Sequence, residues 1–118
     1  MRRGILVVAA LLGQASAAFA CSCPRPTIED LIEDPRDLAV VSARVVSVLS
    51  PEKGKPTVTR LEIAGVIRGK APRVLEMTGV TLADDPCGVD FRPGEVRTMA
   101  AYKKDDRWFT DMCLIPRL

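Results

Sequence analysis

The sequence predicts a small, mainly β protein: a closed or partly closed five-stranded barrel with a short N-terminal helix and two disulfides. Three observations carry this expectation. Five runs of alternating or β-branched apolar residues are separated by turns rich in proline, glycine and charge. Four cysteines occur in a 118-residue chain whose first residues read as an export signal. Histidine is absent altogether.

Residues 1–20 are read as a signal peptide. Arg2 and Arg3 supply a positive start, residues 5–12 form an uncharged apolar run, and Ala18-Phe19-Ala20 is a small-x-small cleavage site. The run is shorter than the about 20 residues that cross a bilayer, so no membrane span is expected. Cleavage would leave residues 21–118 as one domain, either periplasmic or extracellular. Losing Arg2 and Arg3 turns 17 basic and 15 acidic residues into fifteen of each, a net charge of zero. Such a domain has no electrostatic reason to seek nucleic acid. A lipid anchor on Cys21 is disfavoured, because Ala18 stands where a lipid signal wants a branched aliphatic residue. Lipidation would also leave an odd number of cysteines.

Cys21, Cys23, Cys87 and Cys113 read as a disulfide framework. A Cys21–Cys23 bridge would close a ring too small for ordinary disulfide geometry. Both ends of Cys21-Ser22-Cys23 are therefore expected to be tied to Cys87 and Cys113, in either of two pairings.

Thr27 and Asp30 make a capping-box pattern for a helix over residues 28–34, with Ile28, Leu31 and Ile32 as its buried stripe and Pro35 as its stop. Residues 38–49 form the first strand, with Ala39, Val41, Ala43, Val45 and Leu49 on one face. Pro51 and Gly54 mark a turn, and residues 57–68 form a second strand with Leu61, Ile63 and Ile67 inward. Gly65 is the expected bend in that strand. A third strand covers 74–78, and a hairpin pairs 96–102 with 107–113 around a charged tip at 103–106.

The composition excludes several chemistries. Without histidine there is no Ser-His-Asp or Cys-His catalysis and no histidine zinc site. Paired thiols serve neither as nucleophiles nor as metal ligands. No organised carboxylate or lysine constellation remains, so the chain is expected not to be an enzyme and to hold no cofactor or metal. Asp84, Asp85 and Asp90 do not make a calcium loop, because Pro86-Cys87 interrupts them, and they read as a solvated loop. Phe91, Tyr102, Trp108 and Phe109 are too few to form a stacking platform for oligonucleotides.

The order of the motifs resembles the netrin-like, tissue-inhibitor-of-metalloproteinases type of OB-fold domain. A signal peptide ends directly before Cys21-Ser22-Cys23-Pro24, and a strand reads Ala39-Val40-Val41-Ser42-Ala43-Arg44-Val45-Val46-Ser47. An Arg68-Gly69-Lys70 turn closes the second strand, Cys87-Gly88-Val89 follows the third, and the glycine-led run from Gly94 to Tyr102 leads to the terminal Cys113. The resemblance covers nearly all of residues 21–118 and implies a five-stranded OB-type barrel with bridges Cys21–Cys87 and Cys23–Cys113. It departs from the vertebrate inhibitors in having no third bridge and no second cysteine-rich domain.

In the inhibitor branch of that family, the N-terminal cysteine, here Cys21, chelates a target protease's catalytic zinc through its α-amine and carbonyl oxygen. The next side chain, here Ser22, enters the specificity pocket. Cys23 and Pro24 extend the contact, and Asp85 and Pro86 lie beside it. The implied partner is a zinc metalloproteinase. The alternative is a non-inhibitory netrin-like module that binds another extracytoplasmic protein.

Overall fold

A computed structural model describes residues 21–117; the expected signal peptide lies outside them. The elements in order are α1 (Ile28–Glu33), β1 (Ala39–Leu49), β2 (Val58–Arg68), β3 (Val74–Thr78), β4 (Val96–Lys104) and β5 (Arg107–Phe109), then a 3-10 turn at Met112–Leu114. The strands form one antiparallel sheet in the order β3-β2-β1-β4-β5. The sheet curls into a half-barrel of OB type. The two edge strands face each other without a ladder between them. Glu76 and Thr78 of β3 and Arg107, Trp108 and Phe109 of β5 line the narrow slot left between them.

Three bulges between β1 and β2 explain the curl and correct the predicted faces. In β1, Val45 pairs with Leu61 and Ser47 with Arg60, which leaves Val46 as an extra residue. The alternation therefore slips by one. Val48 packs on the core, and Leu49, expected inside, is 59% exposed. In β2, Ala43 pairs with Ile63 and Ser42 with Gly65, so Ala64 is the extra residue. The bend expected at Gly65 thus falls beside it. Val41 pairs with Val66 and Val40 with Arg68, so Ile67 is the extra residue of the third bulge and is exposed rather than inward.

The main core fills the barrel with Val41, Ala43 and Val45 of β1, Leu61 of β2, Leu75 and Met77 of β3, Met99 of β4, and Phe91. Trp108 is half-buried against it, while Phe109 stacks on Tyr102 with centroids 5.7 Å apart. A second small core forms on the outside of the sheet, where α1 and the 3-10 turn cover Val40 and Ala100 with Leu31, Leu38 and Leu114. Only Leu31 of the expected helical stripe is fully buried; Ile28 is half-buried and Ile32 is 42% exposed. A six-residue helix makes fewer than two turns, and only one of its side chains is fully buried.

A helix this short depends on its ends. The Thr27 amide donates to Asp30 Oδ2 at 2.9 Å and the Asp30 amide to Thr27 Oγ1 at 3.1 Å, the capping box the sequence announces. At the other end, Arg68 of β2 donates to the Leu31 carbonyl at 2.8 Å and the Arg36 carbonyl at 2.7 Å. These bonds satisfy an orphan carbonyl and fasten the helix to the sheet. Gly69 follows with φ +78°, and a Cβ there would lie 2.8 Å from the Leu38 carbonyl oxygen, so the turn after β2 requires glycine.

The final strand is shorter than predicted. β5 stops at Phe109, and Cys113 lies in the 3-10 turn instead. Asp111 sets this turn by accepting from the Cys113 amide at 2.8 Å, a local bond that competes with extended pairing. The hairpin tip is tighter than expected. Lys103 and Lys104 belong to β4, and Asp105 and Asp106 alone turn the chain with φ of 52° and 62°. That is the left-handed pair a two-residue hairpin loop demands.

Candidate functional site

Two disulfides gather the predicted site residues at one end of the barrel. Cys21 is bonded to Cys87 and Cys23 to Cys113, with Cα separations of 5.3 and 5.9 Å. Of the two pairings open from spacing, this is the one the family resemblance implies. The bridged cysteines are half-buried, whereas Ser22 and Pro24 alternate with them and are exposed. The Cys21–Pro24 segment is thus an extended ridge, pinned at every second residue, that presents Ser22 between its pins.

The loop bearing Asp85, Pro86 and Cys87 runs beside Cys21. The Asp85 carboxylate and the sulfurs of Cys21 and Cys87 all lie within 4.8 Å of one another. Since those sulfurs are bonded to each other, this cluster offers a cation one carboxylate and no thiolate, which does not make a metal centre. Asp85 instead accepts from the Cys87 amide at 2.8 Å and spans Pro86, while its carbonyl accepts from the Gly88 amide at 2.8 Å. The Cys87 carbonyl accepts from the Met112 amide at 2.9 Å, which joins the two cysteine-bearing loops. Pro86 is exposed at the crest.

Three supports of this loop are not legible as such in the sequence. Asp84, expected to be solvated, is an anchor. Its Oδ2 accepts from the Thr57 amide at 2.8 Å and from the Thr57 hydroxyl, which also shares a bond with Thr81 Oγ1 at 2.7 Å. Those hydrogen bonds from Thr57, hydroxyl first, hold the Asp84 carboxyl below the ordinary aspartate range. Gly88 lies so close to the Thr81–Leu82 backbone that a Cβ would sit 2.3 Å from the Thr81 carbonyl. A parallel bridge pairs Thr81 with Val89 around this contact. The Thr81-x-x-Asp84 spacing hints at a local cap, but the partnership with Thr57 is set by the fold.

Among the described residues no helix is long and apolar enough to cross a membrane. Compared with protein-family models, curated proteins and solved structures, the chain matches none. The site is therefore read from its own geometry: a two-residue-pitch disulfide staple, an exposed serine, and a loop braced alongside.

Proposed function

We propose that the chain, exported and cut before Cys21, is an inhibitor of zinc metalloproteinases and not itself a catalyst. A catalytic zinc keeps one coordination position open for the water it activates. The α-amine and carbonyl oxygen of Cys21 would occupy that position as a bidentate ligand that offers no bond to cleave. Ser22 would enter the adjacent specificity pocket, and Asp85 and Pro86 would widen the contact. The resemblance to the netrin-like inhibitors gives the direction of this reading.

The observation that supports it is the double bridging of the segment that cleavage would make the terminus, with Ser22 exposed between the bridges. Ordering a free backbone costs about 1–2 kcal/mol per residue, and chain ends ordinarily fray. Bridges at Cys21 and Cys23 remove most of that cost before binding. The side chain between them remains outward, where a pocket can receive it.

The test is a panel of zinc metalloproteinases titrated with protein carrying an authentic Cys21 terminus. Stoichiometric inhibition of at least one enzyme is expected, with Ser22→Gly changing the ranking within the panel. Absence of inhibition across the panel would make the domain a non-inhibitory binding module.

A further inference from the structure

β4 is only half covered on its outer side. β1 pairs with it from Ala39↔Ala101 to Arg44↔Val96, but β5 covers only Tyr102, Lys103 and Lys104. The Val45 amide donates to the Glu95 carbonyl at 2.9 Å, and the Val45 carbonyl accepts from the Gly94 amide at 2.7 Å. Odd-numbered residues of β1 therefore aim their peptide groups at β4, where Arg97 and Met99 answer Ala43 and Val41. Alternation turns the N–H and C=O of Val96 and Thr98 to the opposite edge. Ala100, next in that phase, receives the Thr110 hydroxyl at 2.8 Å through its carbonyl. Among the described residues, nothing bonds the edge groups of Val96 and Thr98.

That edge opens into a groove of about 480 Å³ whose lining includes Arg25, Arg97, Arg117, Val96, Thr98 and Pro116 and, among the described residues, no carboxylate. The far wall is fixed. Arg25 donates to the Ile115 and Pro116 carbonyls at 3.3 Å each, and the Arg117 amide donates to the Pro26 carbonyl at 2.9 Å. Glu95 pairs with Arg97 at 3.0 Å, and Asp30 lies close enough to Arg117 to feel its charge, but neither lines the groove. Val96, at 64% exposure, is the most exposed large apolar side chain among the described residues.

We propose that this groove receives an extended acidic peptide, which adds to the free edge of β4 as a short strand. Alternating unpaired N–H and C=O groups are complementary to another extended backbone, which a polysaccharide does not offer. The Arg117 guanidinium, which makes no hydrogen bond among the described residues, selects carboxylate side chains on that backbone, and the positive charges of Arg25 and Arg97 lie beside it. These charges also oppose pairing with a second copy of the same edge, which would set arginine against arginine. None of the ridge residues Cys21 to Pro24 or Asp85 to Cys87 lines the groove, so its occupancy is independent of protease inhibition.

The test uses isotope-labelled protein and a capped hexapeptide of alternating glutamate and valine. Binding should shift the amides of Val96 and Thr98 and slow their hydrogen exchange. Arg117→Gln should weaken binding at least fivefold. The Arg117 side chain makes no hydrogen bond among the described residues, so the fold should survive this change. Arg60→Gln, outside the groove, should leave binding unchanged. Of two peptides N-methylated on alternate residues, one should bind at least tenfold more weakly and the other like the parent. The proposal is overturned if both methylated peptides bind like the parent, if lysine replaces glutamate without loss, or if the shifted amides lie elsewhere. A sulfated tetrasaccharide that reproduces the Val96 and Thr98 protection also overturns it.

Discussion

Replacing Cys23 and Cys113 together by alanine, with Cys21–Cys87 left intact, should lower the melting temperature by roughly 15–30 °C, from about 4–8 °C per kcal/mol in a domain of this size. The magnitude comes from the loops the bridges close. Taken alone, a bridge across a separation of 90 residues restricts the unfolded chain by about 4.6 kcal/mol. With Cys21–Cys87 in place the connecting path is shorter. It runs two residues back from Cys23 to Cys21, across the first bridge, and on from Cys87 to Cys113, about 28 residues in all. The same relation then gives about 3.6 kcal/mol for the second bridge. Circular dichroism melts of the oxidised wild type and the double variant measure this directly, with intact mass confirming the remaining bridge. A fall of less than about 5 °C would refute the chain-entropy account. It would mean that the second bridge hardly restricts the unfolded chain.

Two further changes probe the braces around the site and the core. Gly88→Ala places a methyl group against the Thr81 backbone and should destabilise by about 3 kcal/mol, the upper end of the usual overpacking cost. An unchanged urea midpoint would show that the two strands of this loop part freely. Thr59 is fully buried with its hydroxyl unpartnered, so the near-isosteric Thr59→Val should stabilise by about 1–2 kcal/mol. A lower urea midpoint would show that the hydroxyl is satisfied in solution.

The architecture was legible where local chemistry decides it. Alternating apolar residues announce β1 and β2, the Thr27–Asp30 spacing announces α1, and the limits of β3 follow from flanking proline, arginine and glycine. What failed depends on partners distant in sequence. Val46, Ala64 and Ile67 look like ordinary strand residues, and only pairing between β1 and β2 makes them extra. Leu49 and Ile67 were therefore placed on the wrong face. Val40 lies on the outer face and is buried there by Leu31 and Leu114, a contact between chain ends that periodicity cannot express. The ridge residues were marked by the cysteines themselves. Their support by Asp84 was hidden because its partner, Thr57, lies 27 residues earlier.

The proposed mechanism depends on one atom, the α-nitrogen of Cys21, and adding a single alanine before Cys21 displaces it without touching either bridge. The extended and authentic forms should melt within a degree or two of each other. Against any metalloproteinase that the authentic form inhibits, the extended form should be at least about a hundredfold weaker, or about 3 kcal/mol. Equal inhibition by the two forms would contradict zinc chelation by the terminus.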